Sequence, residues 1–111
     1  MEIKEQKQGA VIVLRPDGPL AHDDADAVKT RAFEAMKRNF GRVILDGSDI
    51  PFVDSRGLEA LLDVNDEMAA GGRSLKLCGL NETVREVLDL TDLAPRFDLY
   101  EDTNTAVRSF L

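Results

Sequence analysis

Two hydrophobic rhythms alternate along this chain, and that alternation narrows the choice of fold more than any other feature. Short runs rich in branched apolar residues, Ala10-Val-Ile-Val-Leu14, Val43-Ile-Leu45 and Leu75-Lys-Leu-Cys78, are bounded by Gly, Pro or Asp, the pattern of strands. Between them apolar residues recur at steps of three and four: Ala25, Val28, Ala32, Met36 and Phe40, then Leu58, Leu61, Leu62, Asn65 and Met68. That spacing predicts two amphipathic helices. Two shorter helices are expected around Val84, Val87 and Leu88 and around Ala106, Val107 and Phe110, opened by Asn81 and by Asp102-Thr103. The polar stretch Ile3 to Lys7, joined to the next strand through Gln8-Gly9, suits an edge strand in a hairpin. A fifth strand is expected at Phe97 to Tyr100.

The resulting order is β, β, α, β, α, β, α, β, α. It predicts an α/β fold with a small, mixed but mostly parallel sheet, an N-terminal hairpin and about four helices. The near-continuous apolar runs at 43–45 and 75–78 are expected inside that sheet, covered by helices. Asn39-Phe-Gly41 and Gly71-Gly72 mark helix ends. A chain of 111 residues is the size of one ordinary domain, and residues 1–111 are read as such.

Several functions are disfavoured by composition. A net charge of -7 would repel a phosphate backbone, so nucleic acid is not an expected partner. No run approaches the roughly 18 apolar residues of a membrane span. Met1 to Gly9 has no apolar core of a secretory signal, and a solitary Cys78 forms no internal disulfide; both fit a cytoplasmic protein. Cys78 reads as a small buried hydrophobe, and Met36 and Met68 read as core. His22, the only histidine, reads as a solvated loop residue, and with Asp23 and Asp24 on one short turn it makes a poor metal site. Neither a hydrolase elbow nor a phosphate-cradling glycine loop is present. No cofactor, metal or catalysis is expected. Asp46 ends the third strand, where some domains carry a phosphoacceptor aspartate, but it lacks the accompanying acids and late lysine and is read as a strand-end loop residue.

In open α/β sheets the functional surface lies beyond the carboxyl ends of the strands. Two loops are therefore singled out, Gly18 to Asp24 and Asp46 to Gly57. In the second, Asp54 or Ser55 would occupy an N-cap, with Glu59 in the first turn on the favourable side of the helix dipole. From residue types alone this is first of all a helix cap. A phosphate on Ser55 would gain from the helix N-terminus, and Arg56 stands next to it, while Asp54 would oppose it.

Ile50-Pro-Phe-Val-Asp-Ser-Arg-Gly-Leu58 resembles the signature of the STAS family, a hydrophobic pair followed by Asp-Ser-x-Gly-Leu, particularly in the bacterial anti-sigma factor antagonists. Leu14-Arg-Pro-Asp-Gly-Pro-Leu20 resembles the family's turn before the first helix, and Val43-Ile-Leu-Asp46 its third strand. Arg73-Ser-Leu-Lys-Leu-Cys78, Leu93-Ala-Pro-Arg-Phe97 and Thr105-Ala106 also fall where that pattern places them. The resemblance implies a non-enzymatic partner of an anti-sigma factor that is also an ATP-dependent serine kinase. It makes Ser55 the phosphoacceptor whose modification releases the partner, with a serine phosphatase resetting the cycle. It places the partner-binding face at Leu20, His22, Asp23, Asp54, Arg56, Gly57 and Leu58. STAS domains also serve as accessory subunits of lipid-transport ATPases or as scaffold members of signalling complexes, the alternative it leaves. The turn reads Ala21 where the family often has Asp, and Arg56 stands where a second Ser is frequent; both bear on partner choice.

Overall fold

The computed structural model describes residues 1–111. Its elements follow the expected order: β1 Glu2–Gln8, β2 Val11–Asp17, α1 His22–Asn39, β3 Val43–Asp46, α2 Ser55–Ala70, β4 Lys76–Cys78, α3 Glu82–Leu90, β5 Asp98–Tyr100 and α4 Thr103–Arg108. A single 3-10 turn, Ala94–Arg96, was not foreseen. The strands line up in sequence order. β1 runs antiparallel to β2, whereas β2, β3, β4 and β5 are mutually parallel.

This order decides where the helices lie. Right-handed crossovers repeated in one direction carry every crossover helix to the same face of a sheet. The packing divides that way. Ile12 and Leu14 of β2, Val43 and Leu45 of β3, and Leu77 of β4 join Val28, Ala32, Leu61, Val64 and Leu88 of α1–α3 in one core. The alternate residues Val11, Val13, Ile44 and Cys78 face the other way and cluster with Ala106 of α4, with Tyr100, Val107 and Phe110 packed against them. A one-residue change of register would exchange the two sets. Leu14, Leu77 and Leu88 are almost wholly buried, each contributing about 1.5–3 kcal/mol of transfer free energy.

Polar residues that looked out of place on apolar faces have partners. Asn65 is buried on α2, and its Oδ1 accepts the Leu75 N–H at 2.8 Å, tying α2 to the start of β4. Asn39 donates from Nδ2 to the Ala10 and Arg42 carbonyls, both at 2.8 Å.

Three expectations need correction. Phe40 does not continue the apolar stripe of α1. It sits in the left-handed region at φ 57° as the residue that ends the helix, and its side chain is 79% exposed. Asp46 is the buried last residue of β3 rather than a loop residue: it accepts from the Ser48 N–H at 3.0 Å and the Thr103 hydroxyl at 3.1 Å. Glu59 lies in the second turn of α2, because Asp54 is the cap and the first turn carries no acid.

Candidate functional site

Both loops singled out from the sequence meet at the carboxyl end of the sheet. Leu20 and Val53 form a lone parallel bridge. The Leu20 N–H donates to the Phe52 carbonyl at 3.1 Å, the Asp54 N–H to the Leu20 carbonyl at 3.3 Å, and the Gly18 N–H to the Asp49 carbonyl at 3.2 Å. The two segments behave as a small extension of the sheet, and the starts of α1 and α2 are held side by side.

Asp54 joins those starts. Its Oδ1 accepts the Gly57 N–H at 2.8 Å, the bond of an N-cap. Its Oδ2 accepts the His22 N–H at 3.0 Å. Ala21, the N-cap of α1, has no side chain able to do this, so one carboxylate caps two helices. These N–H donors, Gly57 first and then His22, together with the nearby imidazole, hold the Asp54 carboxyl below the usual range. His22 is thus no loop residue: it is the first residue of α1, held at φ 52° with its side chain solvent-exposed and its Nδ1 3.7 Å from Asp54. Sequence missed this start because its cap comes from 32 residues away.

Gly57 explains the close approach. A Cβ built there would lie 2.0 Å from the Leu20 carbonyl oxygen and 2.7 Å from Val53 Cγ1. Only glycine lets the first turn of α2 rest on that backbone.

Ser55 is the first residue of α2 and is exposed. Arg56 does not turn toward it but reaches across to α1, meeting Asp23 at 3.2 Å and also Asp26. Of the residues expected at the partner face, His22, Asp23 and Arg56 are exposed, while Asp54 and Leu58 are half-buried. Leu20 and Gly57 are buried. Two exposed neighbours were missed: Pro51 and Phe52, the latter 47% exposed. An apolar pair in a loop just ahead of a helix cap was the available signal.

A family model of the STAS domain matches residues 2–106. The chain belongs to the STAS domain family. An anti-sigma F factor antagonist of Paenibacillus polymyxa is 25% identical to this STAS domain over 108 residues, spanning 96% of the chain and 92% of the relative. A crystal structure of a candidate anti-sigma factor antagonist from Thermotoga maritima superposes with a TM-score of 0.88 at 23% identity, over 96% of this chain and 92% of that one. SpoIIAA, the Bacillus cell fate determinant, superposes in its phosphorylated form with a TM-score of 0.72 at 20% identity, over 99% and 100% of the two chains. Its unphosphorylated form superposes at 0.76, with 20% identity over 98% and 96%. At these identities the likeness to the solved structures is one of fold.

Proposed function

We propose that this STAS domain is an anti-sigma factor antagonist that binds an anti-sigma factor with serine-kinase activity and is released when that kinase phosphorylates Ser55. The observation that carries the reading is the placement of Ser55: an exposed hydroxyl at the first position of a capped helix, with Pro51 and Phe52 exposed beside it. A relative bears the name anti-sigma F factor antagonist, and SpoIIAA is known in phosphorylated and unphosphorylated forms. Both support the reading.

The physical effect of the modification follows from the surroundings. A phosphoryl group brings close to two negative charges to a surface that already holds Asp23, Asp26 and Asp54. The Gly57 N–H is already bound to Asp54, so the helix start offers the phosphate fewer donors than an uncapped one. The fold has little reason to change, whereas a docked partner meets a new dianion. In this reading the protein is cytoplasmic, performs no catalysis itself, and is returned to its active form by a serine phosphatase.

Incubation with the cognate kinase and ATP, followed by peptide mass spectrometry, is expected to find one phosphate, on Ser55. Ser55→Asp is expected to lose kinase binding with an unchanged far-UV circular dichroism spectrum, and Ser55→Ala to bind without being modified. Phosphate on another residue, or full binding by Ser55→Asp, would overturn the proposal.

A further inference from the structure

The ends of α1 and α2 far from Ser55 enclose a second feature, a cleft of about 490 Å³. That volume falls within the range of small-molecule sites. We propose that it binds a small amphiphilic anion, a molecule with an aliphatic or aromatic body and one carboxylate or comparable acidic group.

Phe33 and Met36 of α1 and Met68 of α2 form an apolar lining, and methionines adapt readily to the shape of an apolar ligand. Phe40 stands at the mouth, 79% exposed and held at φ 57°. An aromatic residue in the left-handed region is a strained arrangement. In this place it leaves a large apolar side chain facing open space beside an apolar cleft.

The charges on the wall select the head group. Lys37 and Arg73 both line the cleft. Lys29, Arg38 and Arg56 each reach a carboxylate within 4.0 Å, but Lys37 and Arg73 reach none. Arg73 is nevertheless positioned, since its side chain passes so close to Gly41 that a Cβ there would lie 3.1 Å from its Cδ. Helix C-terminal carbonyls would repel an anion, yet two of those at the cleft are occupied. The Met36 carbonyl accepts from the Phe40 and Gly41 N–H groups, and the Met68 carbonyl from those of Gly71 and Arg73. Glu67 is the one like charge on the lining, which leaves a net positive wall over an apolar floor.

Titration of the 15N-labelled protein with octanoate, octanol and octylammonium tests this. Octanoate is expected to give saturable amide shifts clustered in residues 33–41 and 67–73, with octanol weaker and octylammonium absent from that site. The double variant Lys37→Gln/Arg73→Gln is expected to weaken octanoate by about tenfold, the scale of a charge-assisted contact. Glu67→Gln is expected to tighten it, and Ser55→Asp to leave it unchanged. Lys37, Ser55, Glu67 and Arg73 are all exposed on the surface, so folding is not at stake. Shifts scattered elsewhere, no saturable shifts, equal binding of octanol, or an unaffected double variant would each overturn the proposal.

Discussion

Gly57→Ala offers the sharpest test of how the site is built, because two effects of opposite sign compete. Gly57 lies inside α2, and alanine in a helix interior is normally favoured over glycine by about 1 kcal/mol. Propensity alone therefore predicts a more stable protein. Sterics predict the reverse. The new Cβ would lie 2.0 Å from the Leu20 carbonyl oxygen, a backbone atom that cannot swing aside as a side-chain tip can. Relief requires the first turn of α2 to move away from Leu20 by more than 1 Å, as overpacking generally does. That movement strains the 3.3 Å bond from the Asp54 N–H to the same carbonyl. Overpacking costs about 1–3 kcal/mol and a lost hydrogen bond about 1 kcal/mol. The net effect is a destabilisation of about 2 kcal/mol, or a melting temperature lower by about 10 °C for a domain of this size. Urea unfolding and a thermal scan measure it, with Gly71→Ala as the control, since a Cβ there meets nothing nearer than the Met68 carbonyl at 3.6 Å. The control is expected to change stability by no more than about 0.5 kcal/mol. A Gly57→Ala protein as stable as the control would refute the steric account and the close contact of the two loops with it.

Other expectations follow from individual groups. The carboxyls of Asp54, Glu5 and Asp102 are held below their ordinary range, by backbone N–H donors, by Arg38, and by the Thr105 N–H respectively. Groups depressed in the folded state stabilise above the unfolded carboxylate range, and that contribution is lost as pH falls through their folded values. The urea midpoint is therefore expected to fall below about pH 4, and less steeply in Asp54→Asn; a parallel decline in both proteins would contradict the role given to Asp54. Burial pushes the Cys78 thiol up to about 11, so a disulfide reagent at pH 8 is expected to modify it only after urea unfolding. Immediate labelling of the native protein would show the second core to be open. Arg56→Gln removes an exposed clasp to Asp23 and Asp26 and is expected to leave the melting temperature nearly unchanged, while altering the affinity for the proposed kinase partner if that surface is the docking face.

The sheet was legible because its strands differ in composition from everything around them. Val43 to Leu45 is apolar on both sides and Leu75 to Cys78 is so apart from Lys76, and both faces of the sheet are covered. The starts of α2, α3 and α4 were legible for a local reason: Asp54, Asn81 and Asp102 each accept an N–H three residues on. The start of α1 was not, since Ala21 carries no cap and the acceptor is Asp54, far along the chain. Gly57 could be read as a motif residue but not as a buried spacer, because its reason is the Leu20 carbonyl across the loop. Phe40 fitted the helical spacing and still fell outside the helix, since it takes the left-handed conformation more usual for the glycine that follows it. The position of Ser55 at the start of α2 needed only its neighbours in sequence; the shape of the surface around it needed the tertiary fold.

The shared cap at Asp54 also constrains how this sequence can drift. A helix with its own cap tolerates replacement of another helix's cap, because each loses only its own bond. Here positions 21 and 54 are coupled. With alanine at 21, a residue at 54 that offers a single acceptor oxygen pairs only one of the two N–H groups, and one that offers none leaves the starts of both α1 and α2 without a side-chain cap. A capping residue at 21 would relax the demand on 54, and only then could the two helix starts vary independently.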